Sequence, residues 1–317
     1  MSEHVQSHRI VCNDVAEYSS CMAGPWELEF DQFSAGPGTA CNRGVSIGSD
    51  VVFEESISWA GAIRGSVGKG MMVISIPCGD PAGIKWWGRT MSEHAMPLGI
   101  RQGEVDLVFS GFRQVLAAVS EDEFHRHFLR ASGEEAEFLQ DGVQEILLPP
   151  GKLDELRVMF GRVMDSAECL PAGFSVCREL AEQLAGCGVG VGRQQAPARR
   201  RYVREALGMW RESNYLLSVG EICGLLGISQ RTLEHAFREF CGTTPYHFLK
   251  YHRMNLAHRE LLEADPARAS VTEIATCRGF FELGRFAVEH RKFFGESPSE
   301  TLRRKSEARR VMRYFHA

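Results

Sequence analysis

The chain of 317 residues carries 36 Lys+Arg against 41 Asp+Glu, and its net charge of -5 conceals a division. Residues 1–197 hold 15 basic and 27 acidic side chains and residues 198–317 hold 21 and 14, so an acidic front precedes a basic back, as expected when one part of a molecule meets a polyanion. With 44% hydrophobic residues and length for roughly two domains, the composition excludes a disordered tail or a fibre.

The opening MSEHVQSHRIVCND has no apolar signal core, and no stretch reaches the ~18 apolar residues of a membrane span. No membrane association is expected. Ten cysteines without a C-x-x-C pair fit reduced thiols in a cytoplasm.

Trp26 to Phe33 alternates apolar and polar residues, the period of a strand with one buried face, until Gly36-Pro37-Gly38 breaks it. Strand-like runs follow at Val51–Phe53, Met71–Ile76 and Val105–Phe109. Many short strands at this spacing predict a small barrel or double-sheet jelly roll with an interior cavity. Phe53, Trp59, Trp86, Trp87 and Phe112, with Glu54 and Glu55 nearby, are either core or a pocket for a small organic cation such as an amine.

From Ser120 the period becomes helical. Ser120 with Glu123 is a capping-box signature, and Phe124, Phe128 and Ala131 follow on one face. After a strand at Glu145–Leu148, one helical stripe is Leu153, Leu156, Phe160, Val163 and Met164, and another is Val176, Leu180 and Leu184. These stripes either pack on the barrel or in part form a dimer surface. Residues 187–198, rich in glycine, read as a flexible linker between a domain at 1–186 and one at 199–317.

No metal or cofactor is expected. His4 and His8 lie in the first residues, His94 stands alone, and His125-x-His127 points its rings to different helix faces. A cupin-like metal enzyme is the alternative, as is a repair protein with a zinc-activated cysteine. The spacing of Cys12, Cys21, Cys41 and Cys78 speaks against the second.

The basic part repeats itself. Ser218-Val219-x-Glu221-Ile222 recurs 52 residues on as Ser270-Val271-x-Glu273-Ile274, and Gly227-Ile228 as Gly279-Phe280; after one inserted residue Leu233 matches Phe286, Phe240 Phe293, Gly242 Gly295 and Pro245 Pro298. Each copy has the grammar of a helix-turn-helix. A short helix (Val271–Cys277) reaches a glycine that turns the chain at positive φ, and a second helix follows, Phe281–Phe294 here and Ser229 to about Phe240 in the first copy. Cys223 stands where Ala275 stands, a packing position. Between the copies, Thr244-Pro245 opens a helix to about Glu263, ~27 Å long at 1.5 Å per residue. Such a helix can hold two reading helices about one DNA turn apart.

Gly279-Phe280, Phe286 and Phe293-Phe294-Gly295-Glu296-Ser297-Pro298-Ser299-Glu300 with Arg303, downstream of Gly227-Ile228-Ser229, Leu233 and Phe237, resemble the paired helix-turn-helix domain of AraC/XylS-type bacterial transcription regulators, over about Arg199 to Arg304. The resemblance implies an α+β chain: a β-rich, cupin-like or jelly-roll-like sensor domain with C-terminal helices, then an all-α double helix-turn-helix domain. It also implies a dimeric, small-molecule-controlled activator of RNA polymerase. Arg231, Glu234 and His235 match the family's base-reading positions, with Gln230 and Arg238 also outward. On the second helix the outward set is Gly284, Arg285 and Val288, with Glu282 near. Gly284 and Val288 offer little beyond a thymine-methyl contact, so the first motif is expected to supply most direct specificity. His290 replaces a family aromatic as a partly buried imidazole. Arg199, Arg200, Arg201, Lys250, Arg253, Arg291, Lys292, Arg303 and Arg304 are phosphate candidates, each equally readable as solvated charge.

Overall fold

A computed structural model describes residues 5–22, 26–78, 84–86, 89–90, 95–99, 104–136, 138, 143–193 and 199–304. The N-terminal part is built of β1 (Val5–Cys12), α1 (Val15–Cys21), β2 (Trp26–Gln32), β3 (Ala40–Ile47), β4 (Asp50–Ile57), β5 (Gly61–Val67), β6 (Met71–Pro77), β7 (Ile84–Trp86), β8 (Arg89–Thr90), β9 (Ala95–Gly99), β10 (Glu104–Phe109), β11 (Phe112–Ser120), α2 (Glu121–Ser132), β12 (Val143–Leu147), α3 (Lys152–Asp165), α4 (Val176–Ala185) and β13 (Gly190–Arg193). The C-terminal part is α5 (Arg200–Glu212), α6 (Val219–Leu226), α7 (Gln230–Cys241), α8 (Pro245–Glu263), α9 (Val271–Cys277), α10 (Leu283–Phe294) and α11 (Pro298–Arg303).

Two antiparallel sheets, ordered β1-β3-β4-β11-β6-β9-β12-β13 and β2-β5-β10-β7-β8, form the β-rich part. Because side chains alternate along a strand, the large sheet buries both faces. Val45, Val52, Ile74, Ile76, Val115 and Ala117 pack on the helices through Phe124, Leu156, Phe160 and Leu180. The other face meets the small sheet, where Phe53, Ile57, Trp59 and Phe112 share a core with Phe30, Ile63 and Tyr18.

The stripes of α3 and α4 are therefore core: Leu153, Leu156, Phe160, Val163, Val176, Leu180 and Leu184 are buried, and Met164 packs against them. The glycine-rich stretch read as linker is ordered in part, because Gly190–Arg193 pairs with β12; residues 194–198 lie outside the described residues.

The duplication in sequence is a duplication in structure. Gly227 (φ 64°) and Gly279 (φ 81°) take the left-handed turn conformation. The next residue closes the same hydrogen bond in each copy, Ile228 N–H to the Cys223 carbonyl at 3.1 Å and Phe280 N–H to the Ala275 carbonyl at 2.9 Å. Trp210 of α5, fully buried against Phe237 and Phe248, anchors the first copy and donates its indole N–H to the Leu217 carbonyl at 3.1 Å. Met254, Leu261, Ile274, Phe286 and Phe293 form the core of the second.

α8 belongs to both cores, giving Phe248 and Leu249 to one and Met254, Ala257 and Leu261 to the other. A third side of the same helix is polar and equally buried: His252, Asn255 and His258 are at most 1% exposed. The N-terminal domain covers that side.

Candidate DNA interface

On α7, Leu233, Ala236, Phe237 and Phe240 face inward, so helical spacing leaves Gln230, Arg231, His235 and Arg238 exposed and Glu234 half-buried on the outer side. Ser229 caps the helix by accepting from Thr232 N–H at 3.1 Å. Glu234 accepts from the Gln230 amide at 3.2 Å. Among the described residues no carboxylate is bonded to Arg231 or Arg238, which leaves both guanidiniums available for base edges or phosphates.

α10 differs. Arg285 is engaged by Glu289 at 3.1 Å and Glu282 at 3.7 Å, and Lys250 meets Glu289 at 2.8 Å. Arg291 pairs with Glu300 at 2.8 Å, while Lys292 is exposed. Val288 is exposed, and the helix begins at Leu283, two residues later than its sequence predicts, with Glu282 at the N-cap making no side-chain cap.

Two phosphate candidates have other duties. Arg253 donates to the Tyr215 carbonyl at 2.7 Å and the Leu216 carbonyl at 3.1 Å, tying the loop before α6 to the inter-motif helix; a side chain at Gly279 would press on this guanidinium. Arg304 reaches across the molecule to Asp14, and to Glu17 and Glu296 at 3.5 and 3.4 Å. Arg199 pairs with Glu239 at 3.5 Å and Arg201 with Glu205 at 3.5 Å.

The polar side of α8 meets the N-terminal domain in two clusters. In the first, Asp31 of β2 is wholly buried and holds Arg64, the His252 ring at 2.5 Å and Arg259 at 2.7 Å. Burial would raise the Asp31 carboxyl, but His252, Arg64 and Arg259 outweigh it and hold it far below the usual carboxylate range. Burial keeps His252 neutral by lowering it. Its Nδ1 lies within hydrogen-bonding reach of both Asp31, at 2.5 Å, and the Arg64 guanidinium, at 2.7 Å, and its Nε2 is buried with no hydrogen-bond partner among the described residues. Alongside, Asn255 exchanges two hydrogen bonds with the backbone of Gln32 at 3.0 and 2.9 Å, as a neighbouring strand would.

In the second cluster, His290 is wholly buried, which corrects the partial burial expected of it. Burial and the adjoining His258 lower it to about 3, so its ring is neutral. Its Nδ1 faces the Glu296 carbonyl at 2.9 Å and must carry the proton. Its Nε2 then faces His258 Nδ1 at 3.1 Å, while His258 Nε2 lies 2.7 Å from Asp14. The Asp14 carboxylate also caps α1 by accepting from Ala16 N–H at 2.8 Å. Burial pushes its carboxyl up, but His258 and Arg304 outweigh that and depress it strongly.

Sequence reasoning missed both clusters. The available signal was a helix with His252, Asn255 and Arg259 at i, i+3 and i+7, a polar stripe on a segment whose other sides were already committed to two cores.

The sensor candidates divide. Phe53, Glu55, Trp59 and Phe112 lie buried between the sheets, where Glu55 accepts from Tyr18 and, at 2.8 Å, from Gln114, and burial raises its carboxyl. Glu54, grouped with them in sequence, points to the opposite face because it is one residue along the strand, and it pairs with Arg43 at 2.8 Å and with Arg113. Trp87 and the Trp86 side chain lie outside the described residues, as do His4 and His94.

His125 stands 3.8 Å from Glu135. Among the described residues two groups could hold a metal ion, Asp14–His258–Glu296 and Asp50–Glu123–Cys177. Arg304 is already bonded to two members of the first. Among the described residues no helix is long and apolar enough to cross a membrane.

A family profile described as a helix-turn-helix domain matches residues 222–304. The "Probable thc operon regulatory protein" of Rhodococcus erythropolis is 48% identical over 87 residues, 27% of this chain and 26% of that protein. "XylDLEGF operon transcriptional activator 1" of Pseudomonas putida is 37% identical over 89 residues, 28% and 27% of the two chains. The chain thus spans about a quarter of the length of these curated relatives. A solved "probable AraC family transcriptional regulator" from Rhodopseudomonas palustris is 37% identical, covering 32% of this chain and 94% of that one with a TM-score of 0.29. The C-terminal third of this chain is a double helix-turn-helix domain of the AraC/XylS type.

Proposed function

We propose that the chain is a sequence-specific DNA-binding transcription regulator, an activator that engages RNA polymerase, in which the N-terminal domain controls the DNA-binding domain by gripping α8. The observation that carries this reading is the exposed polar face of α7 within a duplicated helix-turn-helix unit, on the basic part of an otherwise acidic chain. A recognition helix presents such a face to base edges while its flanks meet phosphates. On this reading Gln230, Arg231, Glu234, His235 and Arg238 read the first half-site. Glu282, Arg285 and Val288 lie over the second, flanked by Arg291 and Lys292. An electrophoretic shift with the full chain in dilute buffer tests it: complexes whose affinity falls linearly with log salt are expected, with a slope of about -0.9 per phosphate contact. A chain that retards no duplex at low salt refutes it.

The grip on α8 supplies the control. That helix sets the separation of α7 and α10, and Asp31 and Asp14 hold it from the N-terminal side. An effector bound between the two sheets, where Glu55 lies among Phe53, Trp59 and Phe112, acts through β2, which carries Asp31 at the next strand position after Phe30. An amine suits that carboxylate. A second copy of the chain would seat on the groove of about 770 Å³ along α3, lined by Val158, Met159, Leu170 and Phe174; sedimentation on DNA showing only single chains would remove the homodimer from this reading.

A further inference from the structure

The two reading helices are built to meet different chemistry. In the register of the repeat, where Leu233 matches Phe286, Arg231 corresponds to Gly284 and His235 to Val288, while Arg238 keeps a cationic counterpart in Arg291. The inserted residue lengthens the turn before α10, and Phe281 emerges from it 79% exposed. Val288, on the outer side of α10, is 69% exposed, and Phe281 stands two residues before that helix begins. Between them a side chain at Gly284 would meet nothing. Arg285, the cation on this face, is held by Glu289 and Glu282.

Two large apolar groups left in water, one on α10 and one just before it, are unfavourable until something covers them. Phe281 precedes the N-terminus of α10, the end that reaches base edges in such motifs, and Val288 holds the position that His235 holds on α7. The apolar feature of base edges in the major groove is the thymine 5-methyl group.

We propose that Phe281 and Val288 make the second motif a reader of thymine 5-methyl groups, so that the half-site under α10 is recognised by apolar contact and not by hydrogen bonding. This rests on the DNA-binding reading above. Specificity is then divided: α7 distinguishes bases by donors and acceptors, and α10 counts methyl groups at fixed positions.

The test uses the full chain and the tightest duplex it selects from a random-sequence pool. Thymines are replaced one at a time by deoxyuridine, which removes only the methyl group. Weakening of about fourfold per contacted methyl is expected in one half-site. That sensitivity should vanish in a Phe281→Ala, Val288→Ala variant and persist in Arg231→Ala. Both changed side chains are exposed, so the variant folds as the parent does. A pool that yields no preferred duplex overturns the DNA-binding reading itself. A preferred duplex indifferent to methyl loss, or one whose sensitivity disappears with Arg231→Ala instead, overturns only the assignment to α10. A Phe281→Ala, Val288→Ala variant that binds every duplex as the parent does, yet no longer activates transcription in a reconstituted system, would assign the patch to a protein partner and likewise overturn it.

Discussion

Asp31 of the N-terminal domain and His252 at the middle of α8 lie 2.5 Å apart with neither side chain exposed to solvent. Their partners Arg64 and Arg259 come one from each side, so a single carboxylate ties the β-rich part to the helix that joins the two helix-turn-helix motifs. Removing one member of a buried ionic cluster leaves the others desolvated and uncompensated.

Asp31→Asn should therefore destabilise the chain by ~3–5 kcal/mol. It should also expose the stretch between the domains to limited proteolysis. Arg64 and Arg259 would be left facing each other with their shared anion gone. Denaturant unfolding checks the magnitude; a loss below ~0.5 kcal/mol, the level of an ordinary surface change, would show that the cluster does not hold the domains.

Stability should decline with acid in a defined window. Native His290 takes up its proton only at about 3, whereas an unfolded histidine does so near 6.5. Between those values the unfolded state binds more protons, so stability falls as pH drops below 6.5, by up to ~1.4 kcal/mol per pH unit for one such histidine. His252, also lowered, acts in the same direction. Asp14 and Asp31, whose carboxyls are depressed, add their own loss only as pH falls below about 4. Urea midpoints at pH 7.5, 6 and 5 should decrease in turn, with a shallower trend in His290→Phe. Equal midpoints across the series would contradict the neutral, buried state of these rings.

Replacing Arg231 should relax base preference more than replacing Arg285. Arg231 has no carboxylate partner among the described residues, and a bidentate guanine contact is worth ~1–3 kcal/mol of discrimination. Arg285 must first give up Glu289 and Glu282. Binding-site selection with Arg231→Ala and Arg285→Ala compares the two directly. Intact preference in the first together with lost preference in the second would reverse the order.

A small amine should raise the melting temperature of the full chain, since a ligand that binds only the folded state stabilises it by ~2.7 kcal/mol at a hundredfold excess over Kd. Glu55→Gln should abolish the response, its single amide oxygen still able to accept from one of Tyr18 and Gln114. Stabilisation that survives in Glu55→Gln would place the effector elsewhere.

Local chemistry already defined the DNA-binding third. The turn glycines Gly227 and Gly279, the caps Ser229 and Thr244, Pro245 at the start of α8, and the inward spacing of Leu233 and Phe237 are instructions read within a few residues of where they act. Alternation in Trp26–Gln32 and the apolar run Met71–Pro77 likewise announce strands by themselves. Three matters waited for the tertiary structure. One is that of Glu54 and Glu55, which strand alternation sends to opposite faces, Glu55 is the one buried between the sheets, which depends on where β4 sits between β3 and β11. Another is that Gly190–Arg193, with the composition of a linker, becomes a strand because β12 offers it an unpaired edge. The third is the grip on α8. Arg304 reads as solvated or DNA-facing charge, and nothing local marks His252 or His258, until Asp31 and Asp14, more than 200 residues away, are brought against them. Charge pairing across such separations leaves no periodic trace, because a carboxylate finds its partner through space and not along the chain.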